Sequence, residues 1–242
     1  MAVEAREHLV SSGVIPSMVG LLRDLEGDRN DKDNGEMVDV VDLVCALLLG
    51  EEARRQFVAA HGLEVCLELV RKMQGGRQHA TKILSFCLVD EATAAAFVSH
   101  GGLGVLFPLF MGLDTASYRQ KYRRFDAQQD LEYILTICAG LVSHLPQEGA
   151  HGQRILGKFG ERDHEKVKRL VLLLSESFDN LQTIGSESDK APVVESCLFQ
   201  SLLIARSLYA VFPTIFDGLL ANQPRLLHAV QNHDMHKSSS ID

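Results

Sequence analysis

Two stretches of this chain read almost alike 40 residues apart. Phe57-Val58-Ala59-Ala60-His61-Gly62-Leu63-Glu64-Val65 is followed by Phe97-Val98-Ser99-His100-Gly101-Gly102-Leu103-Gly104-Val105. A fainter copy, Leu9-Val10-Ser11-Ser12-Gly13-Val14-Ile15-Pro16, lies 49 residues before the first when Gly13 is set on Gly62. Self-similarity at this period points to stacked helical repeats. Each unit is too small to bury its own apolar face, so neighbours must stack. The product is a long binding surface rather than a catalytic pocket.

Aligned on Gly13, Gly62 and Gly102, apolar positions superpose at helical spacing: Val14, Leu63 and Leu103; Pro16, Val65 and Val105; Met18, Leu67 and Phe107; Leu21, Val70 and Phe110. The recurring unit is short helix, glycine, helix, loop, helix, and the glycine allows a sharp turn that a Cβ would obstruct. Three helices in about 40 residues is the armadillo pattern. The expected fold is therefore all-α, an armadillo-type α-solenoid of stacked three-helix repeats. It forms one array over 1–232, with divergent repeats over 147–232 and a polar, disordered tail over 233–242.

Helix-period apolar spacing places helices at 14–22, 37–49, 51–60, 63–73, 78–88, 91–99, 103–111 and 128–144. It also places them at 153–159, 164–181 (capped by Asp163), 193–212, 214–221 and 224–232. Asp24 to Glu36 reads as an extended loop, and Asp114 to Ala127 as a polar connection. Doubling a loop costs only about 0.6 kcal/mol in closure entropy, so the longer first repeat need not disturb the array.

The chain has 242 residues, 46% apolar and 23% charged, enough to bury a core and escape disorder. Its net charge of −8 disfavours nucleic-acid binding as a property of the whole molecule. No apolar run approaches the ~18 residues of a membrane span. Met1 to His8 lacks the basic start and apolar core of a signal peptide, so the cytosol or nucleus is the expected setting. Five cysteines with no close pairs read as buried, reduced thiols; Cys45, Cys66 and Cys87 each lie among apolar helical neighbours.

Catalytic and ligand motifs are weak. Gly152 to Lys158 has the spacing of a phosphate loop, but Phe159 stands where a magnesium-binding Ser or Thr is required, and no strand precedes it. Gly101 to Gly104 lacks the dinucleotide fingerprint. His233 and His236 could touch a metal, yet catalytic zinc needs three ligands. No catalytic residue, cofactor or metal is expected, and the chain is not read as an enzyme. Two charge runs stand out. Arg119, Lys121, Arg123 and Arg124 interleave with Tyr118, Tyr122 and Phe125, like a small RNA-contacting patch, although a solvated loop is the simpler explanation. Between Asp24 and Asp42, eight acids outnumber Arg29 and Lys32. A solvated loop explains this run too; the sharper alternative is a docking site for a basic peptide.

Three segments carry a family resemblance: Arg55 through Leu63; Gly102 through Met111, with Phe107-Pro108-Leu109-Phe110-Met111 most specific; and Gly157 through Leu170. They resemble the beta-catenin-like (catenin-beta-like) splicing-associated proteins over about 36–231. The resemblance implies an armadillo-type nuclear scaffold associated with the spliceosomal nineteen complex, whose members recognise basic, localisation-signal-like segments of splicing factors. Against that pattern, the longer N-terminal region, its basic targeting segment, further repeats and the final helices are not seen, which suggests a divergent or truncated member.

The expected function is a non-enzymatic interaction scaffold in pre-mRNA splicing that binds basic segments of splicing factors, with no direct nucleic-acid or membrane contact. The third helices of the repeats, at 37–49, 78–88 and 128–144, should line the concave, partner-binding face. Asp39 and Asp42, one turn apart and off the apolar stripe, and Tyr133 are the partner-binding candidates. The alternatives are an importin-like transport adaptor or an armadillo scaffold outside splicing. The adaptor needs a ladder of Trp and Asn on these helices. The chain has no Trp, and its Asn residues avoid all three.

Overall fold

The computed structural model describes residues 3–24, 35–72, 75–184 and 188–232. The expected tail, with His233 and His236, and residues 25–34 of the acidic run lie outside them. Among the described residues every regular element is an α-helix. The chain divides into two compact units, Met1–Leu145 and Pro146–Asp242, and the division falls where the divergent repeats begin.

The first unit holds three repeats. The first is α1 (Val3–Ser11), α2 (Val14–Asp24) and α3 (Gly35–Leu48). The second is α4 (Glu51–Ala59), α5 (Gly62–Arg71) and α6 (Arg77–Cys87). The third is α7 (Glu91–Ser99) and α8 (Gly102–Phe110), then a short α9 (Thr115–Lys121) before α10 (Ala127–His144). Like packs on like: α4 meets α7, α5 lies between α2 and α8, and α6 lies between α3 and α10. The armadillo reading holds, and α1 and α9 are additions to the expected elements.

The repeated Phe and Gly have a direct physical link. Phe57 and Phe97 are each 1% exposed. A Cβ on Gly62 would lie 2.5 Å from the Phe57 ring, and one on Gly102 would lie 2.4 Å from the Phe97 ring. The glycine therefore makes room for the aromatic side chain of the preceding helix. The sharp turn itself falls one residue earlier, at His61 (φ 64°) and Gly101 (φ 78°), with Gly13 (φ 78°) the counterpart in the first repeat.

That turn corrects the register of the first copy by one residue. Gly13 corresponds to His61 and Gly101, so the buried columns are Ile15, Leu63 and Leu103; Met18, Cys66 and Leu106; Val19, Leu67 and Phe107; Leu22, Val70 and Phe110. Leu21, which the glycine alignment assigns to the core, is 46% exposed, and Pro16 is exposed as well. The left-handed residue, not the glycine as such, sets where the second helix starts.

A buried arginine joins the repeats. Arg54 Nε donates to Asp90 Oδ2 at 2.6 Å and its Nη1 to the Leu48 carbonyl at 2.8 Å, linking the end of α3, α4 and the start of α7. Asp90 also caps α7 by accepting from the Thr93 N–H at 2.9 Å. Burial raises the Asp90 pKa, but the Thr93 and Arg54 hydrogen bonds outweigh it and leave the carboxyl below its ordinary value. All five cysteines are free and buried, and burial pushes the Cys45 and Cys87 thiols up to about 12.

The second unit is built on α11 (Ala150–Thr183) against α12 (Ala191–Tyr209), with α13 (Pro213–Leu219) on α11 and α14 (Pro224–Gln231) on α12. The helical path of α11 breaks at Glu161–His164, and Arg162, Asp163 and His164 are left-handed. The two helices expected at 153–159 and 164–181 thus meet at a sharp break rather than a loop. Asp163 pairs with Lys168 there instead of capping the second helix. Gly152 to Phe159 lies inside α11, and Ile155 and Phe159 are buried. A Cβ at Gly152 would sit 2.1 Å from the Pro146 carbonyl, so this glycine lets α11 pack closely on the turn that precedes it and does not form a phosphate loop.

Because the buried ring cannot swing away, Gly102→Ala is expected to destabilise the protein by about 1–3 kcal/mol through overpacking. Adding Phe97→Leu should recover part of that loss, making the double variant more stable than the sum of the single effects implies. Urea unfolding of the four proteins measures this; strictly additive losses would show that ring and glycine do not compete for the same space.

Candidate partner-binding face

The third helices, α3, α6 and α10, lie side by side, so a polar residue on one comes near its counterparts on the next. Each buries an apolar stripe, with Val41, Val44, Cys45 and Leu48 on α3, and Ile134, Leu135, Ile137, Cys138 and Leu141 on α10. Beside Val38, which is 42% exposed, acidic residues project from α3. Asp39 is exposed. Asp42, three residues on, is 54% exposed at its side chain, and its Oδ1 accepts from Lys82 Nζ of α6. Spacing alone marks Asp42 for a partner; the structure already gives it an inter-repeat cation.

His79 of α6 and Tyr133 of α10 both lie within electrostatic reach of Asp42, and Glu132 adjoins Tyr133 on α10. Glu132 accepts from Gln129 Nε2 at 3.1 Å and from Thr136 Oγ1 at 3.3 Å. Tyr133 is half-buried, and its phenol is pushed up to about 12 by burial first, then by Glu132, Cys45, Asp42 and Asp130. Asp42 and Tyr133 thus share one electrostatic neighbourhood although they are 91 residues apart. The His79 pKa is lowered by burial and by Lys82, against the opposing pull of Asp42. Asp39 and Asp42 stand exposed one turn apart on α3, and Asp42 already holds the ammonium of Lys82, so this part of the row favours a cationic ligand.

Lys82, His79 and Glu132 are not among the residues that sequence singles out. A signal for two of them exists, since His79 and Lys82 are three apart and so lie on one side of α6. Beneath them lies a buried anchor that sequence does not reveal either. Arg77, fully buried, donates from Nη2 to Asp130 Oδ2 at 2.7 Å, and Thr81 Oγ1 donates to the other carboxylate oxygen at 2.8 Å. The guanidinium also lies 4.7 Å from the Tyr118 ring centroid and 5.2 Å from that of Phe125. This one group fixes α6 against α10 and holds α9 in place.

Among the described residues no group of three His, Cys, Asp or Glu is placed to hold a metal ion, and no single helix is long and apolar enough to cross a membrane. Three-helix repeats stacked like on like define an armadillo-type scaffold. Family comparison agrees. The chain belongs to the family described as catenin-beta-like, Arm-motif containing nuclear, which matches residues 2–196.

Similar proteins carry the same description. The beta-catenin-like protein 1 homolog of Schizosaccharomyces pombe is 31% identical over 137 residues, covering 55% of this chain and 22% of the relative. Beta-catenin-like protein 1 of Bos taurus is 30% identical over 149 residues, 60% of this chain and 26% of the relative. That of Homo sapiens is 31% identical over 140 residues, 57% and 24% respectively. The matched segment therefore spans about a quarter of the length of these relatives.

Two outcomes are expected. Asp130→Ala, which strands a buried guanidinium, should destabilise the protein by about 3–5 kcal/mol, and the joint replacement Arg77→Met with Asp130→Leu should lose much less. Thermal unfolding of both variants decides this, and equal losses would remove the ion pair as the cause. The lowered His79 pKa means that the unfolded chain binds a proton more readily than the folded one. Stability should therefore fall as pH drops through the ordinary histidine range near 6.5 towards the lower folded value. His79→Gln should flatten that stretch of the profile of melting temperature against pH; an unchanged slope would show that other groups produce it.

Proposed function

We propose that this chain is a non-enzymatic interaction scaffold of pre-mRNA splicing, acting in the nucleus, and that it holds basic segments of splicing factors on the α3–α6–α10 row. The observation that carries the reading is a pair of exposed carboxylates on that row. Asp39 and Asp42 stand one turn apart on α3, and Asp42 already binds the ammonium of Lys82 from the next repeat. Lysine- and arginine-rich peptides gain most from such a surface through rate of encounter and register. Membership of a family described as nuclear and Arm-motif containing supports the setting and the scaffold role.

In this reading Asp39 is the first contact, and Asp42 is shared between Lys82 and an incoming cation. Tyr133 supplies an aromatic face beside them, where a lysine or arginine of the peptide can lie. An importin-like adaptor is the weaker alternative, because a chain without Trp cannot build the Trp and Asn ladder that such recognition uses.

Fluorescence anisotropy with a labelled, localisation-signal-like Lys/Arg peptide tests the row. Replacing both Asp39 and Asp42 by Lys should weaken binding about 10-fold at low salt, an effect equal to about 1.4 kcal/mol. The difference should shrink as salt shortens the screening length to about 8 Å at physiological ionic strength. Affinity that is unchanged by the substitutions and by salt would sink the acidic row. Recovery of splicing factors from nuclear extract by the wild-type chain, and their loss with the double variant, would tie the row to splicing.

A further inference from the structure

The second helices carry a different surface. A groove of about 390 Å³ opens between α5 and α8, floored by Val70, Val105, Pro108 and Leu109, with Leu113 at its lip. Leu113, in the turn after α8, is 56% exposed. Arg71 forms one wall; it is exposed and reaches the His100 carbonyl at 3.4 Å. Asp114 is the single acid among the lining residues. The next residue begins α9, which carries the basic run.

In α9 and the turn after it, side chains sort by chemistry. Tyr118 and Phe125 are buried at 4% and 8% exposure, ring against ring at 4.8 Å, beneath the Arg77 guanidinium. Tyr122 is half-buried, with its ring 4.5 Å from that of Tyr118 and Lys121 Nζ 5.2 Å from its centroid. Arg119, Lys121 and Arg123 are exposed. The run is thus a fixed cationic ridge on a chain whose net charge is −8.

We infer that the α5–α8 groove and the α9 ridge form a docking surface for a short acidic protein segment bearing an apolar anchor. The anchor, a leucine-sized side chain, seats on Val105, Pro108 and Leu109. Flanking Asp or Glu residues meet Arg71 on one side and Arg119, Lys121 and Arg123 on the other. Charge complementarity selects an acidic partner, and the apolar floor selects one that also carries a hydrophobic residue. Single-stranded RNA fits less well. Binding it calls for exposed aromatic faces on which bases stack, and here Tyr118 and Phe125 are buried while the half-buried Tyr122 packs its ring on Tyr118. This surface has the opposite charge preference to the α3–α6–α10 row and does not rest on it.

The test uses the full chain and three probes: a short fluorescein-labelled Asp/Glu peptide with a central Leu-Leu pair, the same peptide with Ser-Ser at the centre, and a labelled oligouridine. Anisotropy should show the Leu-Leu peptide binding and the Ser-Ser peptide binding about 10-fold more weakly. Arg119→Glu with Arg123→Glu should lower affinity for the Leu-Leu peptide about 10-fold or more. Gly104→Leu places a side chain where nothing lies within 4 Å, and it improves the helix, so it should fold while filling the groove. It should abolish the advantage of Leu-Leu over Ser-Ser. Asp39→Lys should leave this binding intact, which separates the result from the row on the third helices. Absence of binding by the Leu-Leu peptide would overturn the proposal, as would indifference to Gly104→Leu. Oligouridine binding more tightly than the peptide, with the same dependence on Arg119 and Arg123, would replace it with a nucleic-acid surface.

Discussion

The buried Arg77–Asp130 pair is the interaction on which the first unit most depends. An isolated guanidinium cannot remain charged in an apolar core without strong compensation. Here it receives a carboxylate from α10, and that carboxylate is itself held by Thr81. The rings of Tyr118 and Phe125 cover the remaining guanidinium face. A network of this kind is demanding, because losing any one member leaves the others buried and unmatched. That demand is what makes it specify geometry: α6, α9 and α10 have one mutual arrangement that satisfies it.

Both proposed surfaces inherit that arrangement. The polar row needs α6 and α10 in register so that Lys82, His79 and Tyr133 share a neighbourhood with Asp42. The basic ridge needs Tyr118 and Phe125 turned inward so that Arg119 and Arg123 turn out. One buried cation thus supports both the proposed face on the third helices and the basic run of α9 and the turn after it. Arg54 has the equivalent role in the preceding junction, joining Leu48, α4 and the cap of α7. Charged core residues at successive junctions give each repeat a defined seat on its neighbour, a task that interchangeable leucines perform poorly.

The repeat is legible in the sequence because its cause is local. A phenylalanine and a glycine five residues apart must meet across one tight turn, and both copies keep them. Matching Gly13 to the packing glycines puts the first copy one residue out of register, because Gly13 performs the left-handed turn of His61 and Gly101. Two chemically different tasks fall on the same residue type at adjacent positions, and spacing alone does not separate them. The helix α9 is hidden for another reason. Tyr118, Tyr122 and Phe125 have helical spacing, but the intervening cations make the segment read as a solvated loop. Only the partner that buries those rings, Arg77, reveals their inward face, and it lies 41 residues before Tyr118.

The candidate site is legible in the same uneven way. Placing the third helices on one face requires only the repeat, and α3, α6 and α10 do share it. Asp39 and Asp42 can be picked out because they sit off an apolar stripe of fixed period. That Asp42 meets Lys82 is not legible, since it depends on how far one repeat is rotated against the next, and no local pattern encodes that angle. The same pairing shapes how the row can work. In the proposed reading, Lys82 on Asp42 raises the threshold for an incoming cation, so a peptide must offer several charges in register rather than one. Such a row would favour an extended basic segment over a lone basic residue, because specificity is a difference of affinities and here each cation must compete with Lys82.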